Sequence, residues 1–283
     1  TLLVGTSLGL WRTENAGADW EVILSGDIDD VEFHPTDTQT IYACGNSVFR
    51  SQDGGENFNS IQSGLPSSGS ISRMSIAVTP DDPNWLYVLA GRSDNQGYRG
   101  LFRSTDMGDS FSERSYSPNI MGWSTDGSDS GGQAWYDIAL AVDPTNSNRV
   151  FVGGVNLWRS TNGGTTWSLR AHWIQGQGPA YVHADIHSLQ YVGTNFYCMS
   201  DGGITRSTNN GITFSNLTNG ISNTQYYKIG VSQSNENMML AGAQDNGTHR
   251  MINTNWTKTN GGDGMECVVH PTNSNIYYVS SQY

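Results

Sequence analysis

Along most of this chain apolar and polar residues alternate with a period of two, the spacing that gives a strand one face in a core and one in solvent. The segments VEFHPTDTQTIYACG, IAVTPDDPNWLYVLAG, LAVDPTNSNRVFVGG and CVVHPTNSNIYYVS each read as an alternating strand, a turn of Pro with Asn or Asp, and a second strand. Proline suits that turn because its φ is preset and it has no N–H to give to a ladder. No window combines apolar residues at helical spacing with caps, so the pattern predicts an all-β chain. The strands that open each unit are expected at Val31, Met74, Ile138, Ile186, Ile229 and Cys267.

A second pattern recurs between these units. LWRTENAGADW, VFRSQDGGENF, LFRSTDMGDSF, LWRSTNGGTTW and ITRSTNNGITF share the form Arg-[Ser/Thr]-x-[Asp/Asn]-x-Gly-x-x-aromatic. Their hydroxyl residues Thr13, Ser51, Ser104, Ser160 and Ser207 fall 38, 53, 56 and 47 residues apart. A period of about 40 to 55 residues is that of a four-stranded propeller blade and exceeds the common helical repeats. Each blade then runs strand A, turn, strand B, short hairpin, strand C, box turn and strand D. The aromatics Trp20, Phe58, Phe111, Trp167, Phe214 and Trp256 begin the D strands. Counting gives six blades and an unfinished one, so the expected fold is a seven-bladed β-propeller filling residues 1–283 as a single domain. The first blade lacks strand A and the last lacks strands C and D, which leads us to expect a segment cut from a longer chain at both ends.

The box has a physical rationale. Asp or Asn tolerates left-handed backbone and its side-chain oxygen accepts main-chain N–H groups, while Gly supplies positive φ. The Ser or Thr ties the other side of the loop and the aromatic packs beneath it. Asn15, Asp53, Asp106, Asn162 and Asn209 are therefore expected to be structural rim residues. These segments resemble the Asp-box, or BNR, repeat of sialidases, family 74 xyloglucanases, sortilin-like receptor ectodomains and photosystem assembly propellers. The combination of YVHADIHSLQY, SDGGITRST, AGAQDNGTHR and NGGDGMECVVHP looks like the large BNR proteins secreted by Bacteroidetes, which often carry type IX sorting tails and a glycosyl-hydrolase label. The resemblance implies the fold but no particular reaction. A sialidase is disfavoured: there is no Arg-Ile-Pro motif, and Arg12, Arg50, Arg103, Arg159 and Arg206 are all box arginines.

Composition narrows the partners. The net charge is -12, only 14% of residues are charged, and lysine occurs twice, at Lys228 and Lys258. A basic patch for nucleic acid or anionic lipid is not expected, nor is membrane insertion, because no apolar run reaches the length of a membrane-spanning helix. Cys44, Cys198 and Cys267 lack metal or disulfide spacing and sit in apolar strands, as buried inert thiols do.

Candidate chemistry lies outside the repeat. In VHADIHSLQY an unbroken strand places His183, Asp185 and His187 on one face, a set able to hold a divalent transition metal or to act as an acid/base group, with an oxygen-rich calcium site possible beside it at Asp201, Asp245 and Asp263. A channel-lining polar strand is the plainer reading of the same residues. Asp201, Asp245 with Asn246, and Asp263 with Glu266 fall in Asp-Gly or Asn-Gly turns of the later blades, so Asp185, Asp201, Asp245 and Asp263 are the candidate catalytic carboxylates. The long loop Ser117 to Asp137 offers Trp123, Trp135 and Tyr136 for stacking on sugars, with Asp126 and Asp129 as candidate calcium ligands. Trp173, Gln175 and Gln177 lie in the next such connection. The expected function is a secreted or cell-surface propeller that binds a carbohydrate or an extracellular protein at one face, partnered by other domains of the same longer chain. A glycoside hydrolase using two carboxylates is the second reading, and a structural part of a surface assembly is the third.

Overall fold

The computed structural model describes residues 1–221 and 224–282. They form seven antiparallel sheets, five of four strands, one of three and one of two, and one short 3-10 turn at Ser68–Ser70 is the helical element among the described residues. The chain divides into two compact units, Thr1–Leu217 and Thr218–Tyr283.

Five sheets make up the first unit. The opening one pairs Leu2–Thr6, Gly9–Thr13 and Glu21–Ser25. The second runs Asp30–Phe33, Ile41–Cys44, Val48–Ser51 and Asn59–Ser60. The third runs Ile71–Val78, Leu86–Arg92, Tyr98–Ser104 and Ser112–Ser115. The fourth runs Ala139–Asp143, Asn146–Gly153, Leu157–Ser160 and Ser168–Ala171. The fifth runs Ile186–Val192, Asn195–Ser200, Gly203–Ser207 and Ser215–Asn216. In the four-stranded sheets the order in space follows the order in sequence, as expected from the repeat. The second unit holds the four-stranded sheet Tyr226–Val231, Met238–Ala243, Gly247–Ile252 and Asn255–Asn260, and the pair Gly264–Val269 and Tyr277–Ser281.

Core in the first unit lies between successive sheets, so each blade stabilises its neighbour. Leu3 and Leu10 meet Ile41 and Ala43, and Tyr42 and Val48 meet Met74, Ile76 and Phe102. Tyr87 and Leu101 meet Leu140, Val152 and Trp158. Phe151 stacks on Phe196 with ring centroids 4.2 Å apart. In the second unit Met238 and Leu240 pack on Cys267 and Val269. All three cysteines are buried free thiols, and burial pushes Cys198 up to about 12.

The box turns repeat atom by atom. Ser104 Oγ donates to Asp106 Oδ1 at 2.6 Å and accepts Gly108 N–H at 2.8 Å, while Asp106 Oδ1 also accepts Ser110 N–H at 2.9 Å. The same three bonds recur at Ser51 with Asp53, Ser160 with Asn162, Ser207 with Asn209, and Thr13 with Asn15. Bonds from Asn57 and Ser51 hold Asp53 down at about 2, and bonds from Ser104 and Ser110 do the same for Asp106. The residue before each A–B proline supplies another repeated cap: His34 Nδ1, Thr79 Oγ1 and Asp143 Oδ1 accept N–H groups of the following turn.

The candidate site

A charged residue stands directly before each residue expected to open a strand A of the first unit, Asp30 before Val31, Arg73 before Met74, Asp137 before Ile138 and Asp185 before Ile186; Asp30 and Arg73 lie inside their strands, Asp137 and Asp185 ahead of theirs. Sequence reasoning found Asp185 and missed the other three, although aligning the strand-A positions exposes the column.

Asp137 ends the long loop and is 0% exposed. Gln133 Nε2 donates to Asp137 Oδ2 at 3.0 Å and also to Asp185 Oδ1, which brings the two carboxyls together. Burial first, and then the Asp185 charge, pushes Asp137 up to about 8. Asp185 is likewise raised, by burial and then by Asp201. Asp137 thus keeps its proton at neutral pH. Its Oδ1 is buried without a hydrogen-bond partner among the described residues.

Asp201 anchors the neighbouring group. Tyr136 Oη donates to Asp201 Oδ2 at 2.9 Å, and His187 Nε2 lies 2.7 Å from Asp201 Oδ1. The Tyr136 and His187 rings meet edge to face at 4.9 Å and 87°, and Trp135, 63% exposed, lies 5.4 Å from Tyr136. Arg73 holds this segment by donating from Nη1 to Tyr136 O at 3.1 Å, and its Nε stands 3.5 Å from Asp29. Beside His187 the first strands enclose a cavity of about 200 Å³ that reaches Asp29, Glu32 and Gln190. Burial, and then Asp30, pushes Glu32 up to about 8.

The expected single-faced set of His183, Asp185 and His187 does not form. Asp185 takes φ +62 and the strand begins only at Ile186, so the alternation breaks before it reaches His183. His183 packs against Gly202, Asp185 turns to Gln133 and Asp137, and His187 to Asp201. His183, Asp185 and His187 do not together bring their donor atoms to one point. Asp129 is also not open to calcium: both its oxygens accept from Ser124, with Ser124 Oγ at 2.8 Å. Asp126 accepts Ser128 N–H at 3.0 Å. Asp245 and Asp263 lie in the second unit, where Asp263 Oδ1 accepts Asp245 N–H at 2.7 Å.

The long loop is ordered from within. Asn119 donates to Asp129 O and Gly131 O, both at 2.9 Å, and accepts Tyr98 N–H at 2.8 Å, while Ile120, Met121 and Ala134 are buried. Buried Asn156 donates to Trp123 O at 3.0 Å and accepts Trp173 N–H at 3.3 Å, so one side chain aligns two aromatic residues that are 41% and 37% exposed. Gln175 and Gln177 sit on the exposed connection after Trp173.

Five box turns of one geometry stand on five successive sheets, and residues 9–148 match the family described as "Sortilin, neurotensin receptor 3". The chain is an Asp-box β-propeller. This propeller is 37% identical over 100 residues to the xyloglucanase Xgh74A of Acetivibrio thermocellus, across 33% of the chain and 11% of that protein. To the xyloglucanase of Hypocrea jecorina it is 28% identical over 214 residues, across 61% of the chain and 24% of the relative. A solved GH74 xyloglucanase from Xanthomonas campestris superposes with a TM-score of 0.52 at 16% identity, covering 88% of the propeller chain and 41% of the enzyme. The propeller therefore spans less than half the length of each of these proteins, and the structural likeness speaks for the fold alone. Among the described residues no helix is long and apolar enough to cross a membrane.

Proposed function

We propose that this propeller is a carbohydrate-binding module of a secreted or cell-surface protein, and that it takes saccharide at the mouth formed by Trp135, Tyr136, His187 and Asp201. The observation that carries the reading is the Asp201 clamp. It holds Tyr136 and His187 by two hydrogen bonds while the adjacent Trp135 ring stays exposed. An exposed aromatic face beside fixed hydrogen-bonding groups is what stacking on a sugar ring requires, and holding it rigid lowers the ordering cost of binding. The xyloglucan-cleaving relatives favour a carbohydrate over a protein ligand.

Hydrolysis is the second reading, again drawn from those relatives. An inverting hydrolase places its two carboxyls roughly 6.5–9.5 Å apart. Asp137 and Asp185 instead both accept from the one Gln133 amide, and Asp137 has no exposed surface to offer a substrate. Binding is therefore the better supported of the two.

The test is a panel of plant, algal and host polysaccharides, read by affinity electrophoresis and by release of reducing ends. Retardation by at least one neutral glycan that Trp135→Ala abolishes, without new reducing ends, is the expected result. Release of ends that disappears in Asp185→Asn would move the assignment to a hydrolase, and retardation by nothing on the panel would overturn the carbohydrate reading.

A further inference from the structure

The contact between Asp201 and His187 leaves one imidazole nitrogen uncommitted. Asp201 presents Oδ1 to His187 Nε2 at 2.7 Å, and its other oxygen already accepts from Tyr136 Oη. A carboxylate offers only lone pairs, so the ring hydrogen resides on Nε2 and Nδ1 carries a bare lone pair. Among the described residues Nδ1 of His187 has no hydrogen-bond partner. The edge-to-face contact with Tyr136 keeps the ring from swinging away.

His187 forms part of the wall of the cavity of about 200 Å³. That is below the ~300–1,000 Å³ of pockets that enclose a whole drug-sized ligand, so it suits a single ring or a smaller group. Asp29 and Asp30 give the wall carboxylate acceptors, Glu32 beside them keeps its proton at neutral pH, and the guanidinium of Arg73 is turned to Asp29 and Tyr136 O. A ligand hydroxyl finds an acceptor at Asp29, where a ligand carboxylate would meet like charge.

We propose that His187 Nδ1 is a fixed acceptor for a hydroxyl of a sugar ring that enters this cavity, and that it makes the site select neutral, hydroxyl-rich units over uronic acids. The inference rests on the carbohydrate reading above and names the residue that sets its selectivity. Asp201 acts through His187 as a positioning residue, because it fixes which nitrogen is bare. A site built around such an acceptor discriminates strongly, since an unpaired polar atom is left behind when the hydroxyl is missing.

The experiment uses the full chain labelled with ¹⁵N, and two-bond proton–nitrogen correlation of its imidazoles at pH 8, with His187→Gln for assignment. The expected spectrum has hydrogen on Nε2 and the shift of an unprotonated nitrogen on Nδ1. Hydrogen on Nδ1 would overturn the proposal without any ligand. Cellotetraose and a xyloglucan oligosaccharide are then added, with tetragalacturonate as the acidic probe and Trp fluorescence as an independent report of binding. Movement of the Nδ1 resonance with a neutral oligosaccharide, and a loss of at least about tenfold in affinity in His187→Ala, is the expected result. Neutral oligosaccharide that changes the fluorescence but leaves Nδ1 unmoved would overturn the role of His187 alone, and so would tetragalacturonate bound as tightly as the neutral sugars. No fluorescence response to any saccharide would overturn the carbohydrate reading and, with it, the ligand named here.

Discussion

Arg50 Nη1 donates to the main-chain oxygen of Met107 at 2.8 Å, joining strand C of the second sheet to the box turn of the third. The acceptor belongs to the residue after the box aspartate, whose left-handed backbone, φ +59, turns the carbonyl toward the preceding blade. Arg159 makes the same bond to Asn210 O at 2.7 Å, and Arg12 a longer one to Gly54 O at 3.4 Å. Between the third and fourth sheets, Arg114 reaches Gly163 O at 2.9 Å from strand D, while Arg103 lies 4.0 Å over the Trp85 ring. At Arg12, Arg50 and Arg159 the box arginine is thus a staple between blades.

Replacing it should weaken the stack. A hydrogen bond to a charged donor contributes about 1.5–3 kcal/mol, and Arg50→Ala also leaves the Met107 carbonyl without that donor. Its ion pair with the exposed Asp109 adds little. Arg50→Ala should lower the urea midpoint by an amount equivalent to about 2 kcal/mol, and Arg159→Ala should behave alike. An unchanged midpoint in both would show that the staple is incidental.

The boxes predict an acid response. Asp53 and Asp106 are held at about 2 in the fold, below the ordinary aspartate value of 3.8. Their contribution is therefore fully present above the unfolded value and is lost as pH falls toward about 2. Asn15, Asn162 and Asn209 fill the equivalent places without a titrating group. Asp53→Asn with Asp106→Asn should be less stable than the parent at pH 7 and lose less stability between pH 4 and 2, measured by thermal unfolding.

Asp137 gives the opposite sign. Its folded value, about 8, lies above the unfolded 3.8, so its contribution is complete below 3.8 and declines as pH rises until the folded state also ionises. Asp137→Asn cannot ionise. The variant should gain stability over the parent between pH 5 and pH 9, measured by urea unfolding at both values. A constant difference across that range would show that Asp137 is ionised throughout.

The repeat was legible because its causes are local. Pro turns, box glycines and period-two strands act within a few residues, and the strands expected at Val31, Met74 and Ile186 form there. The site was legible only in part. Asp201, Trp135 and Tyr136 stood out as isolated polar or aromatic residues, but their joining depends on the loop folded around Asn119 and on the turn before Ile186. The left-handed Asp185 could not be read from alternation, because a single positive φ reverses the face of every residue before it. Asp137 was hidden at the end of a loop chosen for its aromatics, although it occupies the same pre-strand position as Asp185.

Trp135 and Trp123 should separate binding from folding. Both rings are exposed, yet Trp123 is bound through its main-chain oxygen to Asn156, whereas the Trp135 ring borders Tyr136 in the mouth. Trp135→Ala should leave the unfolding midpoint within about 0.5 kcal/mol of the parent, as surface substitutions do. It should reduce affinity for a neutral oligosaccharide by about tenfold, because an exposed stacking ring is worth roughly 1–1.5 kcal/mol beyond its buried area. Asn156→Ala removes the support of Trp123 and Trp173 together and leaves Trp135 in place. It should lower stability, since a buried donor and acceptor lose their partner, while monosaccharide binding at the mouth persists. Titration calorimetry with short and long oligosaccharides on both variants would check this. Equal losses of affinity at every length in Asn156→Ala would mean that the two aromatic groups work as one surface rather than as a mouth with a separate neighbour.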